Sequence, residues 1–380
     1  MKASFLLMLV VLTACGIKNK QENTTTEQSN QSNKTTLYLG TYTGEGSHGI
    51  YQAAFDDESG EISGLQTSAA LKNPSFQSIG HDGNLLLSVS ESGQRNGMVM
   101  VYRINAENGN LTALDSFSTQ GSGPCYVSFD DKNQVVLAAN YVSGNVIAVP
   151  INKDGKVSSA ASVYQHEGTG PVSDRQEGPH AHSIVPGPEG KYIYSADLGA
   201  DKIYVYTIND GQLTLYRELI TAPGHGPRHM AFHPSGKAMA VINELSNTVS
   251  VYTPDKTGCF SVLLATYPTL PNDFKEFSKG ADIHYSPNGN WLFASNRGHN
   301  SIVTFKVDKT NMELERTAFC KENIDWTRNF AVSPSGKHLL AANRNSNNIS
   351  IYRIDEQSGA LHYTGNSLTL SQPVCITMLP

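Results

Sequence analysis

Four short stretches of this chain carry side chains that hold anions and move protons. "GPHAHS" contains His180 and His182, "GPRHM" contains Arg228 and His229, "NEL" contains Glu244, and "SNRG" contains Arg297. An imidazole titrates near pH ~6.5, so it can take a proton from water and return it at neutral pH. A guanidinium grips a carboxylate or phosphate through paired N–H donors. A carboxylate beside them either transfers a proton or orients its basic neighbours. Arg328, in "TRNF", adds a further cation. If "GPHAHS" opens a strand, His180 and His182 stand two residues apart and both rings point to one face.

These residues sit at matching places in an internal repeat. Residues 229–252, "HMAFHPSGKAMAVINELSNTVSVY", align with residues 282–305, "DIHYSPNGNWLFASNRGHNSIVTF", and with residues 329–352, "NFAVSPSGKHLLAANRNSNNISIY". Each copy has an apolar-alternating run, a Pro-x-Gly turn, a second run, an Asn-centred loop and a third run. Residues 76–102, 126–149 and 182–206 follow the same plan with weaker turns. A spacing of roughly 45–55 residues is that of a four-stranded propeller blade. Turn signals every ~8–12 residues fit an all-β chain.

The ends complete the count. "TLYLGTYTGEGSHGIYQAAF" reads as second and third runs lacking a first, and the C-terminal "QPVCITMLP" as a first run with nothing after it. Joined, they make a seventh blade whose innermost strand is C-terminal, which closes the ring and removes exposed sheet edges. The expectation is one all-β domain over 36–380, a seven-bladed β-propeller of four-stranded blades.

In such a ring the start of each inner run and the end of the second run meet on one rim. The Pro-x-Gly turns lie on the other, where His233 reads as a turn residue. On the first rim the second runs end in Asn140-Tyr141, Asp197-Leu198, Asn243-Glu244, Asn296-Arg297 and Asn343-Arg344. The Asx is kept because its side chain organises the turn. The residue after it varies, which is how a repeat protein individualises a pocket. Consecutive blades are neighbours, so the histidines, Arg228, Glu244, Arg297 and Arg328 fall in one sector of one channel mouth. That sector is an anion site with acid–base capacity. It offers no convincing metal-ligand set, and neither a metal nor a cofactor is expected.

The remaining features set the context. The 380 residues carry a net charge of −6 and no long basic run, which argues against nucleic acid as a partner. Lys2 and the apolar "FLLMLVVL" at 5–12 form a targeting segment too short to span a bilayer. "LTAC", ending at Cys15, resembles a bacterial lipobox. Residues 1–15 are therefore expected to be a lipoprotein signal peptide, with Cys15 lipidated and the body held at a membrane outside the cytoplasm. The polar residues 16–35 read as a disordered tether. Cys125, Cys259, Cys320 and Cys375 remain, either as disulfides or as buried free thiols.

Taken together, "GPHAHS", "GPRHMAFHPSGK", "NELSNTVSVY" and "SNRGHNSI" resemble the β-propeller lactonase family, from about Thr36 to Pro380. Members carry the name 6-phosphogluconolactonase, and fungal carboxymuconate cyclases are relatives. The resemblance implies a seven-bladed propeller and the opening of an anionic sugar-acid lactone. It places the family's arginines on Arg228 and Arg297, its glutamate on Glu244, and its histidine on His182, with His180 as the alternative. In that scheme His182 is the general base and Arg228 and Arg297, assisted by His180 and His229, bind substrate. Glu244 either protonates the leaving oxygen or orients His182 or an arginine. A cyclase running toward the lactone, and a non-enzymatic binding propeller, are the alternative readings. Sugar-phosphate lactones arise in the cytoplasm, so for an exported body either the 6-phosphogluconolactonase name is a family label, or the substrate is an extracytoplasmic lactone such as an aldonolactone, or the pocket binds without turnover.

Overall fold

The computed structural model describes residues 34–44, 46–80, 82–92 and 97–379. The expected signal peptide, Cys15 and nearly all of the tether lie outside them. Seven antiparallel sheets of four strands each account for the architecture. Blade 1 is the closing blade. Its innermost strand is Pro373–Met378, followed outward by Lys34–Thr41, Gly49–Asp56 and Glu61–Ala70. The N- and C-terminal segments pair directly, Leu37 with Met378 through Thr41 with Pro373. Blades 2 to 7 then begin with inner strands Gln77–Gly80, Pro124–Asp130, Ala181–Pro186, Pro227–Phe232, Lys279–Tyr285 and Thr327–Val332. The seven-bladed ring and its C-terminal closure are as the repeat predicted.

Burial explains the sequence pattern strand by strand. The second strand of each blade is covered on both faces by neighbouring blades, so Val135–Asn140 and His338–Asn343 are buried throughout. Such strands read as continuous apolar runs rather than as alternation. Core clusters sit between blades: Ala240, Ile242 and Val249 of blade 5 pack with Leu292, Ala294 and Phe305 of blade 6. The outermost strands, such as Glu61–Ala70, are largely exposed and polar. Cys125, Cys259, Cys320 and Cys375 are buried free thiols.

The two rims differ in construction. On one, the turns end in Gly236, Gly289 and Gly336 at φ 68°, 70° and 76°, which explains the glycine of Pro-x-Gly. His233 belongs to this rim; its Nε2–H donates to Gly289 O at 3.0 Å and its Nδ1 meets Ser235 Oγ at 2.7 Å. It is a turn residue. On the other rim the Asx side chains hold the turns, as Asn243 Nδ2 does by donating to Ser250 Oγ at 2.9 Å and Asn296 Nδ2 by donating to Thr269 O at 2.9 Å.

Candidate active site

A β-bulge at the start of the inner strand builds this rim. The ladder slips between Pro124 and Tyr126, Ala181 and Ser183, Pro227 and His229, and Thr327 and Asn329. The extra residues are Cys125, His182, Arg228 and Arg328. A bulge leaves one residue outside the pairing and re-aims its side chain. Cys125, Arg228 and Arg328 accordingly converge, with Ser75, Phe76, His229, Asn329 and Val374, on a throat with no room for water.

The bulge corrects the expectation that His180 and His182 share a face, because the regular pleat is interrupted between them. His180 lies one residue ahead of the strand and stacks on Tyr141, with ring centroids 4.5 Å apart at 12°. Its Nδ1 is 2.8 Å from Tyr141 O and its Nε2 is 3.2 Å from Glu177 Oε1. It is part of the wall. Asp197 pins it there by accepting the His180 backbone N–H at 2.8 Å, and His166 braces Asp197 at 2.7 Å. His182 instead meets the edge of His229 at 5.3 Å and of Tyr141 at 5.3 Å. Cys125 Sγ lies 3.7 Å from His182 Nδ1, and Nε2 has no hydrogen bond among the described residues. Burial, then the charges of Arg228 and Arg328 and the neighbouring His229, holds the His182 pKa well below the usual imidazole value. It is a neutral base.

Glu244 is the hub of the cationic side. Its Oε1 accepts from Arg175 Nη2 at 2.7 Å, and its Oε2 pairs with Arg297 Nη2 at 2.7 Å. Arg228 Nε lies 3.0 Å from the same Oε2, an ion pair whose N–H is not aligned for a hydrogen bond. Burial by itself would raise the carboxyl pKa, but Arg297, Arg228 and Arg175 outweigh it and hold the group far below the carboxylate range. This corrects one of the two roles expected of Glu244. A carboxylate ringed by three guanidiniums has no proton to give, and it orients arginines instead.

Arg228 is wholly buried, and burial together with Arg328 and Arg297 lowers its pKa to about 9, still cationic at neutral pH. Its Nη1 donates to Ala281 O and contacts His229 Nε2 at 3.1 Å. His229 Nδ1 meets Asp282 Oδ1 at 2.7 Å. Burial and Arg228 keep this imidazole neutral by lowering its pKa to about 3. Asp282 Oδ2 in turn takes His284 Nε2 at 2.9 Å and Asn329 Nδ2 at 2.6 Å. A buried polar chain therefore runs from Glu244 through Arg228, His229 and Asp282 to His284. His284 lines a cavity of about 350 Å³ at the other end of the channel.

Sequence reasoning missed Arg175, Lys279, Asp282 and His284. Arg175 comes from the connection between blades 3 and 4, which lies outside the repeat. There Gln176 anchors the loop by donating to Leu198 O at 2.8 Å. Asp282 was visible in the repeat, at the place of His229 and Asn329. Arg328 has no ion pair among the described residues and lies over the Tyr42 ring at 5.7 Å. Arg297 Nε and Arg175 Nη1 are buried without a hydrogen-bond partner among the described residues. Such donors are costly to leave unmade and are what a bound anion would satisfy. Among the described residues no three His, Cys, Asp or Glu side chains converge to hold a metal ion.

Fold and site together define a propeller with a cationic, imidazole-bearing channel mouth. Residues 36–378 match the family described as Lactonase, 7-bladed beta-propeller, and the chain belongs to it. A Bacillus subtilis protein named 6-phosphogluconolactonase is 36% identical over 342 residues, which are 90% of this chain and 97% of that one. The structure named Pseudomonas aeruginosa periplasmic gluconolactonase superposes with a TM-score of 0.86 at 30% identity, covering 91% of this chain and 99% of that one. A Bacteroides fragilis protein superposes with a TM-score of 0.85 at 32% identity, covering 93% and 99%.

Proposed function

We propose that this protein hydrolyses a sugar-acid lactone, with a water activated by His182 and the substrate's carbonyl oxygen, hydroxyls and any phosphate held by the arginines. The observation that carries the reading is the set of unsatisfied guanidinium donors around Glu244, beside a neutral imidazole with a free Nε2. His182 Nε2 takes a proton as the water oxygen bonds to the lactone carbonyl carbon. The fixed positive charge of Arg228 and Arg328 acts on the oxyanion at the mouth of their throat, where such charge is worth most. The ring C–O bond then breaks, and the imidazolium returns its proton to the leaving alkoxide. This replaces Glu244 as the acid and leaves it to aim Arg175, Arg228 and Arg297. The acid formed ionises at neutral pH and releases one proton.

The names of the Bacillus and Pseudomonas relatives support gluconolactone-type substrates, phosphorylated in the first and free in the second. With the lipobox at Cys15, the unphosphorylated aldonolactone outside the cytoplasm is the reading favoured here. The test is acid release at constant pH from glucono-δ-lactone and from its 6-phosphate, corrected for spontaneous opening. Arg228→Ala is expected to remove most of the enzymatic rate of a protein that still folds. Wild-type rates equal to buffer on both lactones would sink the proposal.

A further inference from the structure

In blades 1, 3, 5 and 7 the residue ahead of the bulged inner strand occupies a left-handed backbone position; in blade 1 it is Gln372, at φ 46°. In blades 3 and 5 it is Gly123 at φ 65° and Gly226 at φ 59°. In blade 7 it is Trp326, at φ 55°. A bulky residue in this region is a true outlier, and such strain collects at sites where the side chain is wanted. Blades 3 and 5 have no room for one, since a Cβ would come within 2.6 Å of Val142 and of Leu245. The matching residue of blade 7 is Asn345, which is exposed. Trp326 is held by its backbone N–H donating to Asn300 Oδ1 at 3.1 Å, and Asn300 Nδ2 donates to Asp325 Oδ1 at 3.0 Å.

The indole does not stand alone. Phe277 lies nearly parallel to it, at 15° with centroids 6.5 Å apart, and is 63% exposed. Gly298 allows this approach, because a Cβ there would meet Phe277 O at 2.3 Å. Arg297 Cζ lies 5.9 Å from the Trp326 ring and Lys279 Nζ lies 5.2 Å from the Phe277 ring. Arg297 is also the partner of Glu244. The aromatic pair is therefore continuous with the anion pocket and lies on its outer side.

We propose that Trp326 and Phe277 form a ring-stacking subsite that takes a pyranose carried by the sugar-acid lactone, so that the substrate class is a glycosylated aldonolactone. This rests on the lactonase reading. The lactone carbonyl, which becomes the carboxylate on opening, lies at the arginines, and what extends past Arg297 is the glycosyl substituent. The apolar face of a pyranose packs on an aromatic ring, and Lys279 and Asp325 beside the pair offer a donor and an acceptor to its hydroxyls.

The chain has two tryptophans, and Trp291 is buried at 4% exposure, so a ligand-induced change in emission reports Trp326. Emission of the whole protein is titrated with gluconate and with cellobionate, its 4-O-glucosyl derivative. Cellobionate is expected to change the emission and to bind about fivefold to tenfold tighter than gluconate. Phe277→Ala, and Trp326→Gly (the residue blades 3 and 5 carry), remove that preference and leave gluconate affinity unchanged. Phe277→Ala alters an exposed ring and tests the subsite even if the Trp326 variant fails to fold. Gluconate bound as tightly as cellobionate overturns the subsite and leaves the lactonase reading standing. Binding of neither acid overturns both.

Discussion

Glu244→Gln separates a clamp from an acid. The substitution keeps shape and removes one charge from a group whose side chain is 3% exposed. Three guanidiniums then lose their counter-charge, and the new amide N–H₂ must point at one of them, donor against donor. Breaking one buried ion pair costs about 3–5 kcal/mol, and the shared carboxylate puts this case at the upper end. At about 2 °C per kcal/mol for a chain of this size, the unfolding midpoint should fall by roughly 8–10 °C. The sign with pH follows from the depressed carboxyl. Its stabilisation is complete above the unfolded-state value near 4.5 and is lost as pH falls toward the folded-state one. Wild type and Glu244→Gln should therefore differ most at neutral pH and converge in acid. In lactone hydrolysis the variant should lose about 100-fold to 1,000-fold in kcat/KM, the cost of misplacing an oxyanion donor. The loss should be uniform across pH 6–9. If Glu244 were the proton donor, the variant would instead flatten the alkaline limb of the pH profile while leaving the midpoint almost unmoved. That outcome would refute the clamp.

Three further perturbations bear on the same chemistry. His182 is held neutral by burial and by Arg228, so the acid limb of kcat/KM should lie below pH 6.5; a limb at or above 6.5 would contradict the assigned base. Asp282 raises the His284 pKa against burial, so histidine NMR of Asp282→Asn should show it titrating at lower pH. Because that pKa is raised in the fold, wild type loses this stabilisation as pH rises past about 6.5, and the variant should lack the slope in midpoint temperature. Cys15→Ser should move the protein from the membrane fraction to the soluble one; equal membrane retention would remove the lipid anchor from the account.

The propeller was legible because its signals are local and repeated. Pro-x-Gly and the Asx loop recur in the chain, and each serves a turn whose geometry requires it. The charged sector was legible for a related reason: Glu244 and Arg297 follow Asx positions that recur in the repeat, so their placement on one rim follows from it. What stayed hidden depends on breaks in regularity. The slip between Ala181 and Ser183 leaves no mark in residue types, so the two-residue spacing of His180 and His182 suggested a shared face that the bulge abolishes. Arg175 was hidden because its connection belongs to no repeat. The ionisation of Glu244 was hidden because it depends on three arginines from distant parts of the chain meeting one carboxylate.

Those irregularities make the scaffold functional. At the bulge the blades carry Val374, Cys125, His182, Arg228 and Arg328, and after the Asx they carry Tyr141, Leu198, Glu244, Arg297 and Arg344. Neither position supplies its side chain to the ladder or to the turn, because the Asx and the backbone hold both. The two sets can therefore vary without altering the turns or the ladder, and in this chain the charges accumulate from blades 4 to 7 while Val374 and Cys125 also line the throat. An anion entering this mouth meets positive charge on one side only. It is thereby drawn toward the sector of Arg175, Arg228, Arg297 and Arg328. One-sidedness of this kind is what hydrolysis needs and what a symmetric ring could not provide.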